Sequence, residues 1–380
     1  MEVAIYTTAY ELATIGDAWD RLSAQEPRFV PRFSELQHAI GVSEVKFRAL
    51  VAFDGSDAIG IACFIFRKTA KYYFIADVNL FKLPINEWSL FGSCVLGQLD
   101  EKVIESFLIN ILRNSGFDLL YLGKLIVDSS LYKAVRGLRG ELIVGTASRK
   151  VEVQWLIKLP KTFDDYTSSL RSTTRGNAVR RFKKLERDSA FEVRVIHSVD
   201  QIDRFLQDAE KISRLTHQWN LGARFCNDAV TRERLVRFAK NETLRCYIAY
   251  YSGQPCAFGY GEWNHRVYVF RTTGYDPKYS KKSPGTALLL WMIRDLIDNT
   301  ESLVFDFDVG GEFEYKTHFA NSSLNCLTLQ VGRLYSPYSC FLIVLDQVLN
   351  RIKSGIRFLV GQGKLWHWLN KQRRKMTIFH

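Results

Sequence analysis

The feature of this sequence that most constrains its fold is a pair of matching segments. Residues 47–66 have the pattern of a strand, a short glycine-containing turn and a second strand, and residues 244–263 repeat that pattern. Residues 103–123 and 287–310 also match, each as a helix followed by a strand that ends in glycine. Two matches in the same order predict a duplicated β-β-α-β unit. Chance similarity between apolar hairpins is the alternative.

A proline directly after a strong apolar strand, at Leu159-Pro160, marks the boundary between the two copies. We therefore predict an α/β (α+β) chain with two tandem mixed-sheet domains, at 1–158 and 160–335, followed by a basic amphipathic helical tail at 336–380. The 380 residues, 47% of them apolar, fit a soluble globular protein and exclude a disordered chain. Helices are predicted from Ser198, by a capping box with Gln201, and from Ser283.

The positive charge is concentrated in two segments. Residues 171–187 carry a net +6 and residues 333–380 a net +8, while the whole chain carries +12. Two basic surfaces on a nearly neutral body favour an anionic partner, with ordinary solvated helix faces as the alternative. The seven cysteines are scattered without a CxxC pair, so we expect no disulfide framework, no metal site and a cytoplasmic location.

The sequence Ser283-Pro284-Gly285-Thr286 is typical of the first turn of a helix. Free backbone N–H groups at the positive end of the helix dipole, with Lys282 just before them, can hold a phosphate or pyrophosphate. The alternative is a helix that is merely well capped. A single glycine does not match a P-loop or a dinucleotide fingerprint.

A second polar segment follows that helix. In Leu303–Val309 the period of a strand places Phe305 and Phe307 on one face and Asp306 and Asp308 on the other. Two carboxylates on one side of a strand are costly unless the site is wet or the groups have partners. Glu312, Tyr315 and Lys316 come next, and this density of polar groups beside an aromatic strand favours a functional site over a surface loop.

These segments resemble a known family. The stretch 306–319 (DFDVGGEFEYKTHF) resembles the BioF2-like or CelD-like branch of the GNAT N-acyltransferases, which is related to the FemAB-type tandem-GNAT proteins. Residues 275–293 resemble the family's segment into its acyl-donor-binding helix, and residues 167–187 its basic opening helix. Residues 214–220 (RLTHQWN), with His217 and Trp219, match a further position.

The resemblance implies that an acyl group moves from a thioester to an amine, with acyl-CoA or an acyl-carrier-protein thioester as co-substrate. Lys316 would then act at the donor or the oxyanion beside Tyr315, Asp306 would hold the acceptor amine, and His217 would be the base. A structural ion pair of Lys316 with Asp306 or Glu312 is the alternative for the lysine. The resemblance assigns the donor to Lys282, Ser283, Pro284, Gly285 and Thr286, and the acceptor to Arg175, Trp219, Asp308 and Glu312.

Some features depart from the family's pattern. Asp308 stands where many relatives have glycine, and the first copy has no counterpart of Ser283-Pro284-Gly285, so we interpret it as a degenerate half. A FemAB-like aminoacyl-tRNA-dependent ligase and a non-catalytic module are the alternatives. Residues 336–380 would bind an acidic acyl carrier protein or an anionic membrane surface, peripherally at the inner membrane, with tRNA as a weaker candidate.

Overall fold

The computed structural model describes residues 2–41, 45–75, 78–114, 116–138, 140, 142–146, 151–216, 219, 224–264, 266–309 and 314–361. The chain divides into two compact units. Unit 1 contains 1–26, 30–152 and 325–380, and unit 2 contains 27–29 and 153–324. None of the helices in these described ranges is both long enough and apolar enough to cross a membrane.

Unit 1 is a mixed sheet with helices around it. Its strands lie in the order β1-β2-β3-β4-β5-β13, and β6 also pairs with β13. The strands are β1 Glu2–Tyr6, β2 Phe47–Asp54, β3 Asp57–Ile75, β4 Val78–Leu90, β5 Leu119–Ile126, β6 Leu142–Thr146 and β13 Ser322–Arg333. The helices are α1 Ala9–Ala13, α2 Gly16–Ser23, α3 Phe33–Gly41, α4 Glu101–Asn114, α5 Ser130–Gly137 and α13 Pro337–Gly361, with a 3-10 turn at Phe91–Ser93.

Unit 2 repeats this plan with its strands in the order β7-β12-β11-β10-β9-β8. These strands are β7 Glu152–Lys158, β8 Phe191–Ile196, β9 Cys246–Tyr251, β10 Gln254–Asn264, β11 Val267–Tyr275 and β12 Val304–Val309. The helices are α6 Phe163–Ser169, α7 Ser172–Thr174, α8 Arg180–Glu186, α9 Ile202–Leu215, α10 Ala229–Lys240, α11 Pro284–Asn299 and α12 Glu314–Phe319. A π turn at Arg175–Val179 joins α7 to α8, and 3-10 turns lie at Val199–Gln201 and Pro277–Lys282.

The topology confirms the predicted fold of two tandem repeats. In unit 1 the hairpin strands β2 and β3 lead to β4, which pairs in parallel with β5 after the crossover helix α4. In unit 2 the hairpin β9–β10 leads to β11, which pairs in parallel with β12 after α11. A parallel pair needs such a crossover connection, and both copies use an amphipathic helix that buries its apolar side on the sheet.

The boundaries of the compact units differ from the predicted domains. The chain enters unit 2 at Val153 and returns to unit 1 at Asn325, where β13 pairs antiparallel with β5. Residues 325–335 therefore group with the first copy, and so does the predicted tail. Its helix α13 buries Leu342 and Ile343 in a small core with Ile85 and Leu119.

The apolar run 72–76 has the composition of a strand, which the sequence pattern indicates as an element of its own. Residues 72–75 are indeed strand, but they continue β3, whose part from Phe64 to Ile75 pairs with β4, and Ala76 lies outside the described residues. The sequence did not predict β4, which contains Pro84 and several polar residues between its apolar positions.

Candidate functional site

The centre of unit 2 contains two parallel strands whose pairing stops before either strand ends. The β11–β12 ladder consists of Val267–Val304, Tyr268–Phe305 and Val269–Asp306. Within the described residues it goes no further, although β11 continues to Tyr275 and β12 to Val309. The strands therefore separate beyond these pairs, and side chains and ligands can enter where a continuous sheet would exclude them.

Arg271 of β11 lies in this opening with a carboxylate on each side. Its Nε and Nη2 donate to Glu262 Oε1 of β10 at 2.8 and 2.5 Å, and its Nη1 donates to Asp308 Oδ2 of β12 at 3.0 Å. Burial by itself would lower the pKa of Arg271, but Glu262 and Asp308 together raise it above its usual value. The guanidinium also stacks over the Phe29 ring, 5.3 Å from its centroid. The cation is thus fixed on three sides.

Asp306 is the most deeply buried carboxylate of the site, with only 1% of its surface exposed. Its Oδ2 accepts from Gln154 Nε2 of β7 at 2.6 Å, and its Oδ1 accepts from the Asp308 backbone N–H at 2.7 Å. A buried carboxylate needs such donors to offset its loss of hydration. The two bonds hold the group rigidly at the end of the β11–β12 ladder.

Asp308 occupies a left-handed backbone conformation, with φ of 59°. This region favours glycine, which is the residue that the family resemblance led us to expect here, and aspartate is one of the few other residues that tolerate it. The Asp308 side chain bonds its own neighbour, since Oδ1 accepts from the Val309 N–H at 2.7 Å. The strained position thus directs Oδ2 towards Arg271.

Lys316 and Tyr315 lie on the short helix α12, next to the same strand. Lys316 is 8% exposed, and its Nζ donates to the Phe307 carbonyl oxygen at 2.9 Å. The Tyr315 ring packs edge-on against the Phe307 ring at 6.1 Å, and burial raises the pKa of its hydroxyl to about 12. At neutral pH this hydroxyl is therefore protonated.

The predicted helix after Ser283 is present as α11, but Ser283 does not cap it in the expected way. Ser283 is in the left-handed conformation, with φ of 55° and ψ of 49°, and its side chain makes no capping hydrogen bond. Its Oγ instead accepts from Arg181 Nη1 at 3.0 Å, while its carbonyl accepts the Ala287 N–H. The N–H groups of Gly285 and Thr286 therefore begin α11 without a side-chain cap, and an arginine lies beside them.

Lys282 is engaged away from this helix terminus. Its Nζ lies 3.7 Å from Asp188 Oδ2 and 4.2 Å from the Tyr251 ring centroid. A hydrogen bond from the Ala190 N–H, then one from the Tyr251 hydroxyl, lowers the pKa of Asp188, and Lys282 adds to this shift. The donor-binding assignment of Lys282 remains a prediction, and the cationic side chain that bonds Ser283 directly is that of Arg181.

The two other predicted site residues that the structure describes, Arg175 and Trp219, contact residues other than Arg271, Asp306, Asp308 and Lys316. The exposed Arg175 donates to the Ser168 carbonyl at 3.0 Å within the basic helical segment. The guanidinium groups of Arg214 and Arg224 both lie over the Trp219 ring, at 5.3 and 5.2 Å from its centroid. His217 and Glu312 lie outside the described residues, so their assignments remain predictions.

Sequence reasoning missed Glu262, Arg271, Gln154 and Arg181. Glu262 and Arg271 are isolated charges inside otherwise apolar strands, and that contrast was the available signal. Pairing them needs the β10–β11 register, which a bulge between Tyr260 and Gly261 shifts by one residue. Gln154 joins the site only through the antiparallel pairing of β7 with β12.

Comparison with known proteins agrees with this architecture. The family model described as "Acetyltransferase (GNAT) domain" matches residues 172–317, which include the basic helix, the β11–β12 opening, α11 and Lys316. Residues 172–317 are a GNAT acetyltransferase domain. The chain is accordingly a transferase of the acyl-transferring class. A search of curated protein sequences finds no match.

Solved structures share the fold over most of the chain. A crystal structure of FemX aligns with a TM-score of 0.64 at 9% identity, covering 89% of this chain and 98% of that one. A conserved protein of unknown function from Bacteroides thetaiotaomicron VPI-5482 aligns with a TM-score of 0.52 at 12% identity, covering 87% and 100%. At such identities the likeness shows the fold alone, including the part of it outside the matched GNAT domain.

Proposed function

We propose that the protein is an N-acyltransferase that moves an acyl group from an acyl-CoA or acyl-carrier thioester to an amine. The observation that carries this proposal is the opening between β11 and β12, with the uncapped start of α11 directly after β11 and its 3-10 turn. An extended thioester can lie along the free edge of a strand while its pyrophosphate or phosphate reaches the start of the next helix.

The donor's phosphate groups would bind at the start of α11. The Gly285 and Thr286 N–H groups lie at the positive end of a 16-residue helix. Arg181, which already bonds Ser283 Oγ, supplies a full positive charge at the same place. A side chain at position 285 would narrow the space through which the phosphate reaches these N–H groups, because a Cβ there would already lie 3.3 Å from the Tyr275 ring.

The acceptor would be a positively charged amine. Glu262, Asp306 and Asp308 supply three carboxylates to the site, and Arg271 and Lys316 supply two cations, so these five side chains carry a formal excess of one negative charge. An ammonium group entering the opening would restore the balance. Burial makes this attraction stronger than it would be in water.

In the reaction the ammonium first loses a proton to a base, and the free amine then attacks the thioester carbonyl carbon. The C–N bond forms as the C–S bond breaks, and the thiolate leaves and takes up a proton. Asp306 would orient the amine, Lys316 would stabilise the developing oxyanion, and the protonated Tyr315 would donate a hydrogen bond. His217 remains our candidate for the base.

The test is amine-dependent thiol release. Full-length protein would be incubated with acetyl-CoA, longer acyl-CoA or an acyl-carrier thioester and a pool of amines, and the released thiol and acylated product measured by a thiol reagent and mass spectrometry. Asp306→Asn keeps the shape of the buried side chain, and Asp298→Asn on the exposed side of α11 is its matched control. Thiol release that does not depend on an amine, or that Asp306→Asn leaves unchanged, would contradict the proposal.

One observation favours a second candidate, an aminoacyl-tRNA-dependent ligase. The exposed basic residues on and beside the helical segment 172–187 are Arg171, Arg175, Arg180, Arg181, Lys183, Lys184 and Arg187. At a rise of 1.5 Å per residue they extend over about 24 Å, which is longer than one pyrophosphate can occupy. Consumption of an aminoacyl-tRNA ester in the same assay, without consumption of any thioester, would select this candidate.

A further inference from the structure

Over the side chains that the structure describes, as far as position 355, helix α13 has two apolar faces, and one of them packs into the fold. Leu342, Ile343 and Leu349 point into unit 1 and are buried. Ser339, one turn earlier, is also buried, and its Oγ donates to the Asp118 carbonyl. These residues account for only part of the apolar side of the amphipathic tail that the sequence predicts.

The second face points to solvent. Phe341, Val344, Val348 and Ile352 are each between 44 and 50% exposed. Their spacing of three, four and four residues places them on one side of the helix, in a stripe about 16 Å long. Leu334 and Tyr335, just before the helix, are 52 and 67% exposed. A continuous exposed apolar stripe of this size marks an interaction surface more often than an isolated apolar residue does.

The sequence that contains this stripe is almost entirely basic among its charged residues. The only acidic residue from 334 to 380 is Asp346, and its carboxylate forms a salt bridge with Lys71 of β3. Beyond it the sequence has eight basic residues and no acidic one, beginning with the exposed Arg351. Trp366 and Trp368 lie within the same basic sequence.

We propose that the outer face of α13 binds the surface of an anionic lipid bilayer, an inference that goes beyond the proposed function. Aliphatic and aromatic side chains on a helix with basic neighbours insert at the level of the lipid headgroups, while the lysines and arginines contact anionic headgroups. A second copy of the chain fits this face less well, because the two strongly basic segments would repel each other. RNA offers no apolar surface that would cover four such side chains.

The experiment compares variants of full-length protein in vesicle sedimentation at low salt, with phosphatidylcholine alone or with one quarter phosphatidylglycerol. Val344→Glu with Val348→Glu changes the stripe. Gln347→Glu with Ser354→Glu adds the same charge at exposed positions away from it. We expect the stripe variant to lose at least tenfold in partition to anionic vesicles and the control to lose about threefold or less, with unchanged circular dichroism.

Equal losses in both variants, or equal binding of the unaltered protein to the two kinds of vesicle, would overturn the proposal. A dimer that sedimentation velocity detects in the unaltered protein and not in the stripe variant would overturn it in favour of self-association. Thiol release from soluble acyl-CoA is measured in parallel. An absence of thiol release would count against the proposed acyl transfer. The partition of the variants to vesicles tests the binding of α13 to lipid independently of that reaction.

Discussion

Among single residues, Arg271 and Asp308 explain most of how the site is built. Asp308 has an unfavourable left-handed backbone conformation. Its carboxylate accepts a hydrogen bond from Arg271 and so links β12 to β11 where the two strands are no longer paired. Strained positions of this kind concentrate at functional sites because the surrounding contacts must maintain them. The motif containing Asp306 and Lys316 was recognisable in the sequence, whereas Arg271 and Glu262 became neighbours only through the strand register.

Lys316 is the residue whose loss should separate chemistry from stability. In Lys316→Met, a similar volume without charge, we expect kcat to fall about a hundredfold because the developing oxyanion loses its cation. The loss of its hydrogen bond to the Phe307 carbonyl should also cost about 1–3 kcal/mol of unfolding free energy. Steady-state kinetics and urea unfolding measure the two effects. A variant that loses stability but keeps kcat would show that the lysine only holds the strand.

Tyr315 gives a prediction about pH. With a pKa of about 12 its hydroxyl stays protonated where a free tyrosine, of pKa about 10, begins to ionise. Its contribution to stability is therefore complete below about pH 10 and is lost as the pH rises towards 12. Tyr315→Phe should lower kcat about tenfold or less, the value of one neutral hydrogen bond, without moving either limb of the pH–rate profile. A displaced alkaline limb would identify the tyrosine as the base instead.

Among the elements, the strands and helices with a strong apolar pattern in their own sequence were predictable. Elements that form because they pair with a segment elsewhere in the chain were not. The capping box that the sequence predicts for Ser198 and Gln201 is present, and strand β8 follows the alternating apolar pattern of its own sequence. Strand β4 was missed because pairing with β3, rather than its own composition, makes it a strand. The helix predicted from Ser283 is present, but Ser283 has a left-handed backbone and makes no side-chain capping bond, and its hydroxyl accepts from Arg181, which is remote in the sequence.

Helix α11 carries the prediction about the donor. Gly285→Glu places a carboxylate where the donor phosphate would approach the Gly285 and Thr286 N–H groups, so donor affinity should fall at least tenfold. Gly285→Gln adds nearly the same volume without charge and should lose less, after the small shift of Tyr275 that either side chain requires. Calorimetry with acetyl-CoA measures both variants. Equal affinities in Gly285→Glu and the unaltered protein would mean that the donor binds elsewhere.

For the whole molecule, the order of segments along the chain differs from their grouping into the two compact units. The last strand, β13, returns to the first unit because its partner is β5, about 200 residues earlier. No local pattern contains that information, so the predicted boundary at 335 could not anticipate it. The crossover helix α4 of the first copy differs from its counterpart α11, because Asp100 accepts from the Val103 N–H and Glu101 lies in the first turn. These carboxylates would repel an anion at the start of the helix.

The uneven distribution of charge leads to the last prediction. Replacing Lys364, Lys371, Arg373, Arg374 and Lys375 by glutamine lowers the formal charge of the full-length protein from +12 to +7. These residues lie beyond the GNAT domain at 172–317, so thiol release from a soluble donor should stay within about twofold. Binding to anionic vesicles should weaken at least tenfold in low salt, since each basic residue near such a surface contributes about 1 kcal/mol.

The difference in vesicle binding between this variant and the unaltered protein should shrink above 0.1 M salt, where the screening length is about 10 Å. Sedimentation at two salt concentrations measures this, and a loss of turnover without a loss of vesicle binding would assign the basic segment to the reaction instead.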